Sequence, residues 1–209
     1  RFLLRWQHVD PAVRLQGESG LLTAIEQLQG FESASGAIED EVLLSRVSDY
    51  SSAMLDRLCL GGEVLWGRVS SKTTQKPNDE SMPLSRASFT RATPITMVLR
   101  DSLDWILGPT DHDSEQLTGA AKEVAEVLKN RGASFLSDIV TATQRLPSDV
   151  EEALWTLAAT GRATVDGVEA LRQRLGGTVR RPRRKDKRGG QNNSRTSMNR
   201  RRGYSRWSL

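Results

Sequence analysis

Cysteine is almost missing from these 209 residues. Cys59 stands alone in the apolar run 55–60, so neither an internal disulfide framework nor a multi-cysteine zinc site can be built, and a reducing, cytoplasmic setting fits best. Histidine is as scarce: His8 lies near one end and His112 in a polar connector, neither with a second ligand at metal spacing. No run approaches about 18 consecutive apolar residues and no charged-then-apolar leader opens the chain, so neither a membrane span nor a signal peptide is expected. The chain opens on Arg1 rather than methionine, and both ends read as cuts through a longer polypeptide. A Gly-x-x-x-x-Gly-Lys-Ser/Thr phosphate loop and a Gly-x-Ser-x-Gly nucleophile motif are both lacking. Glu39-Asp40-Glu41 resembles an ATPase acidic motif only superficially and reads as a solvated helix start. No catalytic residue, metal ligand or cofactor is therefore assigned to this chain.

What is present is divided by charge. From Thr178 onward the chain carries twelve of its 30 lysines and arginines against one acid, Asp186, a net +11. The first 177 residues are left with eighteen basic and twenty-five acidic side chains, a net −7. The positive balance thus describes one segment and gives no licence to treat the folded body as a basic surface. At 37% hydrophobic residues, part of the chain is expected to stay unpacked, and the segment from Thr178 to Gly203, with Arg200-Arg201-Arg202 at its end, is that part.

Apolar spacing predicts a short helix over 21–28, with Ser19 as N-cap and Gly30 as stop, a second on Val42, Leu43, Leu44 and Val47, and a third from Ser51 to Leu60 ended by Gly61-Gly62. Two β-prone runs, 63–69 and 95–100, then read as a hairpin with a long polar loop, Ser70 to Thr93, at its tip. Three helices followed by a hairpin is the winged-helix order. After a connector at 108–113, Ser114 and Glu115 can open a helix running to about Lys129. Phe135, Leu136, Ile139 and Val140 mark another, and Pro147 opens a third with Leu154, Trp155 and Leu157 on its buried face. Leu55 to Val64 also aligns with Leu154 to Ala163 at one constant offset, each copy a helix, a glycine stop and a strand.

The expected fold is mainly α with small β: two tandem winged-helix or helix-turn-helix-like modules followed by a disordered basic tail. Residues 1–110 form the first module with its long wing loop, 111–177 the second, 178–203 a flexible basic linker, and 204–209 the start of a following module. Trp6, Trp66, Trp105 and Trp155 sit beside apolar runs and are read as core, whereas Trp207 stands apart.

Phosphate contact, the sequence-independent part of nucleic-acid binding, needs Lys and Arg. The candidates are Arg180, Arg181, Arg183, Arg184, Lys185, Lys187 and Arg188 in the basic segment, Lys72, Lys76, Arg86 and Arg91 in the wing loop, and Arg57 on the third helix. Ser51 and Ser52 could approach DNA beside Arg57, while Asp149, Glu151 and Glu152 would repel phosphate from the second module, which reads as a packing or protein-contact unit.

Phe2-Leu3-Leu4-Arg5-Trp6-Gln7, Gln27-Leu28-Gln29-Gly30-Phe31, the run from Leu55 to Trp66, and Arg206-Trp207-Ser208-Leu209 together resemble the large helicase-related (Lhr) proteins, most of all their actinobacterial members. The likeness covers nearly the whole chain, although Ile38 stands where a tryptophan is expected. In that family a superfamily 2 ATPase core with a winged helix precedes a long C-terminal region of further winged helices and a β-barrel. The resemblance implies that this chain is a piece of that region, that ATP and magnesium serve the parent's motor, and that the parent is a 3'-to-5' DNA helicase linked to repair. It also implies as partners DNA, with RNA as an alternative, the helicase core and the neighbouring modules. Two rival readings remain open: a protein-interaction or oligomerisation module, and part of a nucleic-acid-processing enzyme, such as a glycosylase, whose catalytic module lies elsewhere.

Overall fold

The computed structural model describes residues 1–70, 88–107, 117, 119–176 and 205–209. Most of the wing loop, the boundary near 110, Ser114, Glu115 and the basic segment 178–203 lie outside the described residues. No helix among the described residues is long and apolar enough to cross a membrane.

The first module begins with a short helix α1 (Phe2–Trp6) and then α2 (Gly17–Leu28), which buries Leu21, Ala24 and Ile25 on one stripe. Ser19 is not its cap. The helix starts earlier, where the Asp49 carboxylate accepts from the Gly17 amide at 2.9 Å. A two-residue strand β1 (Ser33–Ala34) follows, and then the expected second helix turns out to be a π-helical turn, Ile38–Leu43. Its wide i→i+5 bonds, Val42 N to Ala37 O and Leu44 N to Glu39 O, bury Ile38 and Leu43 together. Helix α3 (Ser52–Leu60) buries Leu55, Leu58 and Cys59, and β2 (Val64–Gly67) pairs antiparallel with β3 (Pro94–Leu99), Val64 opposite Leu99. Strand β1 adds to the far edge of β3, giving the order β1-β3-β2. The helix α4 (Leu103–Leu107) closes this half.

The second module repeats the plan: α5 (Gly119–Arg131), β4 (Ser134–Phe135), α6 (Leu136–Thr143), α7 (Pro147–Ala159), β5 (Thr164–Val165), an added helix α8 (Val168–Arg174), and β6 (Arg206–Ser208). Its sheet order, β4-β6-β5, is that of the first. Gly62 and Gly161, aligned in the sequence repeat, both adopt left-handed backbone (φ +79° and +75°) and turn a helix directly into its strand.

Strand β6 corrects the expectation that 204–209 begins a following module. Arg206–Ser208 lies between β4 and β5 and completes this sheet. Strand alternation supplies the reason. Trp207 points inward, 6% exposed and edge-on to Trp155 at 5.1 Å, while Arg206 points outward to Asp166 at 2.9 Å. The basic stretch therefore connects α8 to β6 rather than trailing from the second module.

One apolar core runs through both modules. Trp66 stacks on Trp155 at 6.4 Å and 22°, and Phe89 fills the space beside them at 5.1 Å from Trp155. Of the four tryptophans read as core, Trp66 and Trp155 are buried, but Trp6 is 61% exposed and Trp105 79% exposed. Both exposed rings belong to five-residue helices that bury no residue, α1 and α4, so adjacency to an apolar run did not bring them inside.

Candidate nucleic-acid interface

In a winged helix bound to duplex DNA the third helix enters the major groove. Here one flank of α3, carrying Ser52 and Asp56, is engaged by the second module, while Ala53, Arg57 and Leu60 stay exposed. Arg172, on α8, sends Nε and Nη2 to the two oxygens of Glu39 at 2.6 and 2.9 Å, and Nη1 to those of Asp56 at 2.8 and 2.9 Å. Nη2 also donates to the Ser52 carbonyl at 3.3 Å. Burial alone would push this guanidinium down, but its bonds to Glu39 and Asp56 more than offset that and hold it above the ordinary arginine value. Tyr50, a phenol kept neutral chiefly by burial, donates to Glu39 Oε2 at 2.5 Å. Glu39 is thus no solvated helix start. It is half of a clamp between modules, and the π-helical turn is what presents it.

The equivalent helix, α7, buries eight of its 13 residues, and its outer end carries Asp149, Glu151 and Glu152. Neither third helix offers a free basic face. Arg57 extends from α3 into solvent, paired with Glu18 at side-chain exposures of 60% and 43%. Arg91 is exposed beside Gly36 and lines a groove of about 690 Å³ together with Glu39, Asp40, Tyr50 and Ser52. Lys72, Lys76, Arg86, Arg180, Arg181, Arg183, Arg184, Lys185, Lys187 and Arg188 lie outside the described residues.

What the structure does define is the residues on either side of the two undescribed segments, the long polar loop and the basic stretch. The Glu32 carboxylate accepts from the Val69 and Ser70 amides at 2.6 and 2.8 Å, fixing the exit of the first wing. Arg68 Nη1 reaches across to the Ala159 carbonyl at 2.9 Å, Thr164 Oγ1 donates to the Trp66 carbonyl, and Trp66 Nε1 donates to the Gly167 carbonyl at 3.3 Å. Residue numbers fall on one segment as they rise on the other, so β2 and β5 run side by side in opposite directions. Arg68 consequently lies beside Gly161, and β6 begins at the other end, where Asp166 meets Arg206.

Residues 1–86 match the family model described as the large helicase-related protein, winged-helix domain. A curated relative from Mycolicibacterium smegmatis, "Lhr helicase/ probable uracil glycosylase", is 32% identical over 183 residues, 86% of this chain and 11% of the relative. The chain belongs to the large helicase-related family. An Escherichia coli relative, "Lhr helicase/uracil glycosylase", is 29% identical over 160 residues, 72% of this chain and 9% of its own length. This chain therefore spans about a tenth of the curated Lhr relatives it matches. An ATP-magnesium site does not fit the described residues. The carboxylate nearest in pattern to an ATPase acidic motif, Glu39, commits both oxygens to Arg172, and no cluster of three His, Cys, Asp or Glu able to hold a metal occurs among the described residues.

Signals that sequence reading missed are Arg172 and Arg68. Each is one arginine among many in a charged helix or strand end, and only tertiary structure reveals what it joins.

Proposed function

We propose that this chain is a nucleic-acid-binding and scaffolding segment of an ATP-dependent 3'-to-5' DNA helicase that serves DNA repair, the motor residing elsewhere in the parent. The two winged helices act as one rigid frame, and the cations of the wings meet the phosphates. The observation that carries this reading is β6: a strand on the far side of the basic stretch ties both of its ends into the second module, in the chain position of a wing. The acidic body, and an exposed α3 stripe whose one cation, Arg57, is paired with Glu18, speak against groove insertion and favour the wings as the contact.

The test keeps chain length and changes charge, because removing everything after Thr178 would also remove β6. Replacing Arg180, Arg181, Arg183, Arg184, Lys185, Lys187 and Arg188 by glutamine should weaken binding to duplex DNA and flatten its salt dependence by about 0.9 in log–log slope for each phosphate no longer neutralised. An unchanged slope would overturn the reading. A protein-contact role is favoured by the same acidic body, and it predicts a change in self-association or in capture of the parent's motor with DNA affinity untouched.

A further inference from the structure

A second surface, apart from the wings, has the chemistry of a strand-binding face. Helix α1 buries none of its five residues, yet it is not a frayed end. Gln27 Nε2 donates to the Trp6 carbonyl at 2.8 Å, the Val9 amide donates to the Leu4 carbonyl at 2.9 Å, and the His8 ring meets the Val13 carbonyl at 3.0 Å. On this held turn Phe2 and Trp6 stand 74% and 61% exposed, their rings near-parallel at 23° and 6.2 Å apart. With Arg5, His8 and Gln27 they line an open groove of about 530 Å³.

Beside the groove lie arginines without acids. Arg57, Arg145, Arg172, Arg174 and Arg206 are each paired with a carboxylate. Arg5, Arg14 and Arg46 have no ion pair among the described residues, in a body whose net charge is negative. Leu15 bridges to Val47 in parallel, which sets Arg14 and Arg46 side by side; Arg46 Nη1 donates to the Val42 carbonyl at 2.9 Å and to Ser45 Oγ at 3.2 Å, and Nη2 reaches Gln7 Oε1 at 3.3 Å, next to Trp6. The Nε atoms of Arg14 and Arg46 are buried without an acceptor, so their stems are packed in place. The nearby acids are occupied with backbone: Asp10 accepts from the Ala12 amide and Asp49 from that of Gly17.

We propose that this face binds single-stranded nucleic acid, with unpaired bases stacking on Trp6 and Phe2 and phosphates meeting Arg5, Arg14 and Arg46. A flat aromatic pair beside uncompensated guanidinium groups is the combination that holds single strands without sequence preference. Paired bases offer no free ring face, so the surface favours single strands over duplex. The proposal rests on the nucleic-acid reading above but assigns a different surface.

Anisotropy of a labelled oligothymidylate of about 16 nucleotides, compared with a duplex of equal length, tests it. The Trp6 ring is exposed and stacks on the likewise exposed Phe2, while its carbonyl holds the turn, so Trp6→Ala should leave thermal unfolding nearly unchanged. It should weaken single-strand binding about tenfold, the loss of one stacked base, and duplex binding far less. Trp6→Phe should recover part of the loss, and Arg5→Gln with Arg14→Gln should lower the salt slope on the oligothymidylate. Repeating the measurements with the seven wing cations neutralised separates the two readings. Residual single-strand binding that Trp6→Ala abolishes supports the α1 face whatever the wings do. Single-strand binding indifferent to Trp6→Ala in both backgrounds overturns it, as does an effect confined to self-association.

Discussion

The two modules share one order of elements and one sheet order, and they use the same third helix in opposite ways. Helix α7 is drawn into the core, whereas α3 keeps a polar flank and turns it toward Arg172 of its neighbour. Where the second module has a regular α6, the first has the π-helical turn that delivers Glu39 to the same arginine. Such divergence joins two winged-helix folds into one frame. One flank of the third helix of the first module has become a joint.

The largest test of that comparison is removal of β6. Excising residues 205–209 takes out the middle strand of the second sheet and Trp207 with it, whereas Trp207→Ala alone should cost about 3 to 5 kcal/mol, as for a buried aromatic. Urea unfolding followed by circular dichroism would measure both. Near-native stability after excision would mean that the strand is dispensable to the frame.

Next in size is Arg172→Ala. It leaves Glu39 and Asp56 facing each other with no cation, at side-chain exposures of 20% and 31%, and cases of this kind cost about 3 to 5 kcal/mol. The first module should suffer as much as the second, since the clamp binds both. A single cooperative transition shifted to lower urea is the expected result, and a loss confined to the second module would show that the joint is weak.

How much of this was legible differs between local and tertiary order. Helices over 52–60 and 147–159, the hairpin, and the glycine stops could be read because periodicity and left-handed glycine are local signals. Strand β6 could not, because Arg-Trp-Ser is too short to show alternation and its partners lie far back in the chain. Trp6 and Trp105 were misplaced for a related reason: an apolar run shows that a helix can be buried and says nothing of whether another surface reaches it. Of the candidate interface, the basic residues were visible as composition, while the clamp on one flank of α3 and the acid-free arginines near α1 depend on tertiary neighbours that no motif encodes.

A smaller effect concerns the first module alone. Burial, followed by the charge of Asp56, pushes the Cys59 thiol up to about 12. Its unfolded value is about 8.5, so above that pH the unfolded chain releases a proton that the folded chain retains, and stability falls as pH rises. Between pH 7 and 10 this thiol should account for about 2 kcal/mol of lost stability. The difference in pH dependence between the native chain and Cys59→Ala isolates it. Equal slopes would show that Cys59 ionises as freely folded as unfolded.

The smallest effect compares the paired glycines directly. Gly62 and Gly161 hold the same left-handed angle, so alanine at either position carries a backbone cost of about 1 to 2 kcal/mol. Their surroundings differ. A Cβ at Gly62 would come no nearer than 3.4 Å to the Arg100 guanidinium, the far end of a side chain that can yield. At Gly161 it would stand 2.7 Å from the Arg68 carbonyl, which is backbone fixed by the junction of the two modules. Gly161→Ala should therefore cost more than Gly62→Ala, by at least about 1 kcal/mol given what small-to-large changes cost in packed sites. It should also weaken the anchoring of the first wing by displacing Arg68. Equal midpoints for the two variants would mean that β2 and β5 do not press together, and the single frame would come apart into two independent winged helices.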